Sequence, residues 1–257
     1  MKKTIQFKTI PVSSMRKLAI GAWNTPNNPS VSVELMLNIT HLLHGLPKNI
    51  QLKHALIKLF SNLLQQVPEL NTVIIRRKLR QRLTNRIFIP TVFRHRGQLD
   101  LNGIFIDDAY QLSLSQIKAQ MDDKVRQLRL GNNSQINRVV SFFKACPSIL
   151  CKPIMGFLRF IHYSCNMSLS IIGLPDDPFG SLTLTLLDKF DVRHAHIPLY
   201  SFSKSPITIA IGAKYKDNDQ IILPITVTFD HRHFDGYSGS KAYKHLKKWI
   251  KNPNLVL

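Results

Sequence analysis

Acidic residues are scarce in this chain: 15 Asp and Glu stand against 35 Lys and Arg, a formal charge of +20 over 257 residues. Such an imbalance says nothing about fold, but it draws the molecule toward anions: phosphorylated small molecules, nucleic acid or acidic lipid. Cysteine is scarcer still. The three thiols, Cys146, Cys151 and Cys165, contain no Cys-x-x-Cys pair, and their odd number argues against a disulfide framework or a cysteine zinc site. Single buried thiols in a reducing compartment are expected. No run reaches the ~18 uncharged apolar residues of a membrane-crossing helix. The nearest approach, 160–175, is interrupted by His162, Asn166 and several serines. The basic start, Met1-Lys2-Lys3, leads into no apolar stretch with a cleavage site, so no signal peptide is expected. Internal repeats and low-complexity tracts are missing, and Gly and Pro are ordinary in number, which excludes collagen-like and disordered classes.

What is present suits a folded α/β chain. Hydrophobic residues make up 44%, and the length fits one large domain, 1–257. Residues 1–12 predict a strand, and Ser13-Ser14 caps a following helix. Val31, Val33, Leu35, Leu37 and Ile39 alternate as one face of a strand. Leu52, Ala55, Leu56, Leu59, Phe60, Leu63 and Leu64 recur at helical spacing until Pro68. Strands are predicted at 73–75 and 87–93 around a basic turn, and at 104–106. Ser113 caps a helix to about 129, with Ile117, Met121, Val125 and Leu128 inward. A loop at 131–134 leads to an apolar, basic region, 139–163, read as short helices broken by Pro147 and Pro153. Strands at 182–187, 207–211 and 221–229 precede a last helix, 237–250. This order argues for a mixed sheet with flanking helices.

The sharpest chemical signal is Thr228-Phe229-Asp230-His231-Arg232-His233-Phe234-Asp235-Gly236. An alternating strand runs into His-x-x-x-Asp-Gly, and a helix follows. The strand fixes the His231 backbone, and Gly236 is expected to permit a tight exit into the helix. An imidazole titrating near neutrality can take a proton and return it. A lone histidine at a strand end is ordinarily a packing residue; the spacing and context here favour a base.

This segment resembles the signature of the catalytic core of dihydrolipoamide acyltransferases of 2-oxo acid dehydrogenase complexes, and that of chloramphenicol acetyltransferases and peptide-synthetase condensation domains. Three upstream segments are similar to the first family in the same order: Val12-Ser13-Ser14-Met15-Arg16-Lys17-Leu18-Ala19, Val67-Pro68-Glu69-Leu70-Asn71 and Gly180-Ser181-Leu182-Thr183-Leu184-Thr185. The resemblance implies a chloramphenicol acetyltransferase-like α/β fold and a homotrimer with its sites in channels between subunits. Coenzyme A or acyl-coenzyme A would be the substrate, with no metal. It implies that His231 takes the proton from the acceptor thiol and that a hydroxyl steadies the oxyanion. Thr185 stands where the family has Ser, with Thr183 as the second candidate. Asp235 completes the implied site by holding the loop. Arg232 is implied to be structural, paired with Asp230 or Asp235. The family's lipoyl domain, lipoyl lysine and subunit-binding domain are not found in this sequence, and 131–174 reads as an apolar, basic insertion.

The run Arg76, Arg77, Lys78, Arg80, Arg82, Arg86, Arg94 and Arg96 has no acid between Glu69 and Asp100, and Lys241, Lys244, Lys247, Lys248 and Lys251 follow near the end. A solvated basic face, attraction of coenzyme A phosphates, and an anionic membrane compete as readings. Nucleic acid is disfavoured, because no module or aromatic interleaving is present. Apolar residues alternating with Lys144, Lys152 and Arg159 suit a helix lying in a lipid interface or a buried helical pair. A cytoplasmic protein is expected, free or peripheral at the inner membrane face. Two rival functions stand beside acyl transfer to a thiol, hydroxyl or amine: a non-catalytic scaffold with this fold, and a condensation-type enzyme, whose usual chain is much longer.

Overall fold

The structure is a computed structural model that describes residues 7–11, 13, 29–95, 98–130, 147–170, 177, 179–199 and 203–257. The helix expected after Ser13-Ser14, the 131–134 loop, Cys146 and the stretch 139–146 lie outside the described residues.

In chain order the elements are β1 (Phe7–Thr9), β2 (Ser30–Asn38), α1 (Thr40–His44), α2 (Leu52–Gln66), β3 (Thr72–Ile75), β4 (Lys78–Arg82), β5 (Arg86–His95), β6 (Gln98–Asp107), α3 (Leu114–Arg129), α4 (Ser148–Arg159), β7 (Leu182–Leu186), β8 (Ile207–Ile211), β9 (Tyr215–Asp217), β10 (Gln220–Asp230) and α5 (Gly236–Lys251). The main sheet runs β2-β10-β8-β7-β5-β6, with β9 added beside β10; a smaller sheet runs β1-β4-β3. The main sheet is mixed. β7 pairs parallel with both β5 and β8, and the remaining pairs are antiparallel.

Alternation gives the central strands two unlike faces. Leu182 and Leu184 of β7, Ile207, Ile209 and Ile211 of β8, and Ile225 and Phe229 of β10 are buried in one apolar cluster with α2. The other face is hydroxylic. Thr183, Thr208, Thr228 and Ser32 lie in one row across four strands, and Thr185, Ala210, Thr226 and Glu34 in the next. Helix α2 is the wedge beneath the apolar face, touching both α3 and α5. Its apolar stripe supplies packing, and its buried Ser61 hydroxyl donates to Asn85 Oδ1 at 2.6 Å, tying the helix to the entry of β5. Burial of each such Leu, Ile or Phe is worth about 1.5–3 kcal/mol. Ser113 caps α3 through the reciprocal Ser113–Gln116 box.

Four expectations are corrected. The basic turn before residue 87 contains strand β4: the chain reverses at Arg76 and Arg77, both left-handed at φ 50° and 59°, and Lys78 pairs with Ile75. Such a two-residue turn needs positive φ at both central positions, which arginine does not advertise. Pro153 does not break the 139–163 region, because α4 passes through it with the proline on its exposed side. The carbonyl that the proline leaves without an N–H partner can there meet water. Arg82 is not part of a solvated basic face, being only 3% exposed. Cys151 and Cys165 are half-exposed rather than buried.

Candidate active site

Strand β10 ends at Asp230, and the next five residues form a tight loop fixed from both sides. His231 N–H donates to Pro29 O at 2.9 Å, just ahead of β2. Asp230 accepts from Arg232 three times over: backbone N–H at 2.9 Å, Nε at 3.0 Å and Nη2 at 2.7 Å. Burial alone would raise the Asp230 carboxyl; the Arg232 hydrogen bonds and the neighbouring positive charge outweigh it and hold it below its ordinary range. At the far end, Asp235 Oδ1 accepts from Ser238 N–H at 3.1 Å and is the N-cap of α5. A carboxylate there satisfies an orphan N–H and meets the positive end of the helix dipole. Gly236 does not play the expected part. Its φ is not left-handed, and a methyl added to it would meet nothing within 4 Å in this chain.

The two histidines of the loop are in unlike states. His233 is buried, with Nδ1 2.9 Å from Thr72 Oγ1. Burial first, and then the charges of Arg82, Arg232 and Lys204, push its pKa down to about 3 against the opposing pull of Asp230. It is a neutral structural residue at physiological pH. His231 is half-buried, more exposed than His233. Phe229 stacks on Phe234 at 4.7 Å behind the loop, and the His231 ring lies 6.1 Å from Phe229.

Beneath the loop, segments distant in sequence interlock. The Thr72 hydroxyl links His233 to Glu69 O. Asn71 Oδ1 accepts from Ser181 Oγ at 2.5 Å, joining Pro68-Glu69-Leu70-Asn71 to Gly180-Ser181. Gly180 is required there: its φ is +59°, and a Cβ would stand 2.4 Å from Arg86 Cβ. Buried Arg82 grips Asp177 with Nε–Oδ2 at 2.9 Å and Nη2–Oδ1 at 3.3 Å, and donates to Thr72 O. Lys204 lies close by; burial, then Arg159 and Arg232, lower its pKa to about 8. Sequence reasoning missed Arg82, Asp177 and Lys204 as parts of this support. No local pattern marked them: Arg82 lies in the basic stretch Lys78-Leu79-Arg80-Gln81-Arg82.

Thr183 and Thr185 share the hydroxylic face of β7, and the Oγ1 atoms of both are buried without a hydrogen-bond partner. The structure does not bring them to His231 within the chain. Register places Leu182, Ile207 and Phe229 in one row, and Thr185, Ala210 and Thr226 in another. From His231 to Thr185 is therefore about 17 Å along the strands and about 10 Å across them. Among the described residues, no group of three or more His, Cys, Asp or Glu is placed to hold a metal ion.

No protein-family model matches the chain, and neither does any curated protein. Solved structures do match its fold. The truncated catalytic core of the 2-oxoacid dehydrogenase multienzyme complex of Thermoplasma acidophilum is similar at TM-score 0.64 and 16% identity, over 96% of this chain and 99% of that one. The dihydrolipoamide acetyltransferase of Azotobacter vinelandii, in work on the catalytic roles of a serine, a histidine and an asparagine, is similar at TM-score 0.60 and 15% identity, over 98% and 94%. A chloramphenicol acetyltransferase is similar at TM-score 0.57 and 12% identity, over 96% and 100%. The chain thus has the α/β fold of chloramphenicol acetyltransferase-like, coenzyme A-dependent acyltransferases, a mixed sheet with flanking helices.

Proposed function

We propose that this chain transfers an acyl group between coenzyme A and a thiol, hydroxyl or amine acceptor, with His231 as general base. The observation that carries the proposal is the contrast within one loop: His231 is partly exposed on a clamped backbone while His233 is sealed and neutral. In the forward step the His231 imidazole takes the proton from the acceptor. The freed electron pair attacks the thioester carbonyl, and the carbonyl π pair moves onto oxygen. The C–S bond to coenzyme A then breaks, and the proton held on His231 passes to the departing sulfur. Thr185 donates a hydrogen bond to the transient oxyanion, a task for which a buried hydroxyl without a partner is suited. Asp235 orients the loop as the cap of α5. In the Azotobacter enzyme the histidine and asparagine studied are four residues apart, the spacing of His231 and Asp235.

The separation of His231 from Thr185 within one chain has a consequence. The two groups can share a substrate only if they come from different copies, so the reading requires an oligomer, and the homotrimer that the resemblance implies would repeat such a contact around its ring. The departure from serine favours the rival reading, a scaffold that has kept the fold without the reaction. Steady-state transfer from acetyl-coenzyme A to small thiols, dihydrolipoamide among them, decides between the two. Thr185→Ala is expected to lower kcat by roughly 100-fold to 1,000-fold with KM little changed. Loss in Thr183→Ala alone would move the role to Thr183. Wild type as inert as either variant would leave the scaffold.

A further inference from the structure

Helix α4 carries an exposed apolar stripe that the fold does not use. Ile149, Pro153, Gly156 and Phe157 fall at i, i+4, i+7 and i+8 on one side of the helix, and Phe160, at i+11, opens the π-helical turn Phe160–Ser164 that continues it. Ile149 is 82% exposed, Phe157 63% and Phe160 57%. A methyl added at Gly156 would meet nothing within 4 Å. The opposite side is anchored. Leu158, His162 and Tyr163 are buried, and Tyr163 donates its hydroxyl to Ser203 O at 2.7 Å. Beyond its C-terminal end, Arg76 of the β3–β4 turn donates to Ser164 O at 2.9 Å and to Cys165 O at 3.1 Å, which ties the turn carrying exposed Arg77 and Lys78 to that end. Exposed Lys152 borders it one helical turn further back.

We propose that this face docks the protein on an anionic lipid bilayer, with α4 lying in the plane of the interface. Two observations select lipid over a protein partner. Apolar side chains project from a helix whose other side is fixed, as an interfacial helix requires. The exposed charges bordering it have one sign, with Lys152 on the helix and Arg77 and Lys78 on the turn tied to its end, and no acid occurs in the sequence between Asp123 and Asp176. An acidic headgroup layer complements that charge over a whole surface. A helix of 12 residues is about 18 Å long, too short to cross a bilayer. None of the helices among the described residues is long and apolar enough to cross one. The docking does not rest on the acyl-transfer reading; it would place the Arg82–Lys204 support of the His231 loop near the membrane.

Co-sedimentation with phosphatidylglycerol–phosphatidylcholine vesicles, and with phosphatidylcholine vesicles alone, tests the proposal. Wild type is expected to bind the anionic vesicles, and less so as salt is raised. The double variant Phe157→Ser, Phe160→Ser is expected to bind at least roughly tenfold more weakly. Lys152→Glu with Arg77→Glu is expected to abolish the preference for phosphatidylglycerol. Should the double variant misfold, Ile149→Ser serves in its place. Wild type that ignores anionic vesicles, or variants that bind as wild type does, would overturn the proposal. So would a double variant that loses its oligomeric state in a protein that never bound vesicles, because the stripe would then be a contact between copies.

Discussion

Replacing His231 by alanine is expected to reduce acyl transfer by roughly two to four orders of magnitude, the usual worth of a positioned general base. The fold should survive the change. The His231 backbone N–H still donates to Pro29 O, and the neighbouring clamps belong to Asp230, Arg232 and Asp235. His233→Ala makes the informative contrast. That ring is sealed, so its removal should act through stability and loop order, while His231→Ala should leave the unfolding midpoint nearly unchanged. Activity surviving in His231→Ala but lost in His233→Ala would assign the chemistry to His233.

Arg82→Met is expected to cost about 3–5 kcal/mol of folding stability, measured by urea unfolding. The estimate rests on burial: Arg82 and Asp177 are 2% and 15% exposed at their side chains and are joined by two hydrogen bonds. Removing the guanidinium leaves the Asp177 carboxylate and Thr72 O without their donor in a dry setting, which costs more than the pair itself contributes. Set against total stabilities of about 5–15 kcal/mol for globular domains, the loss is large. It should also disturb the site, since Thr72 is the residue that holds His233. The same change in Arg77, which is exposed, should cost little. A loss below about 1 kcal/mol in Arg82→Met would mean that the pair is not the buried support described.

How far the sequence disclosed this arrangement depends on the kind of signal each element carries. Helix α2 was legible because seven apolar residues keep helical phase up to Pro68, and α3 because Ser113 and Gln116 spell a capping box. The loop from Asp230 to Asp235 was legible because strand alternation, His-x-x-x-Asp-Gly and a following helix agree. Strand β4 was hidden because Arg76 and Arg77 occupy left-handed positions usually marked by Asn or Gly. Arg82 was hidden within a basic run, since its burial depends on Asp177, 95 residues away. Arg86 likewise finds its carboxylate across a β ladder, in Asp107 at 2.7 Å. Periodicity reports which face is apolar; it is silent about which charge finds a distant partner. The separation of Thr185 from His231 is a matter of strand order, which no local pattern encodes.

In the proposed reaction one chain's base works with another chain's hydroxyl. That pairing is tested most directly by mixing two crippled proteins. His231→Ala and Thr185→Ala chains, each far below wild type alone, are co-expressed in equal amounts so that mixed assemblies form. About a quarter of the contacts between copies then pair an intact His231 with an intact Thr185, and the mixture should recover about a quarter of wild-type transfer. A mixture as inactive as its parents, beside an active and oligomeric wild type, would mean that His231 and Thr185 do not meet across copies.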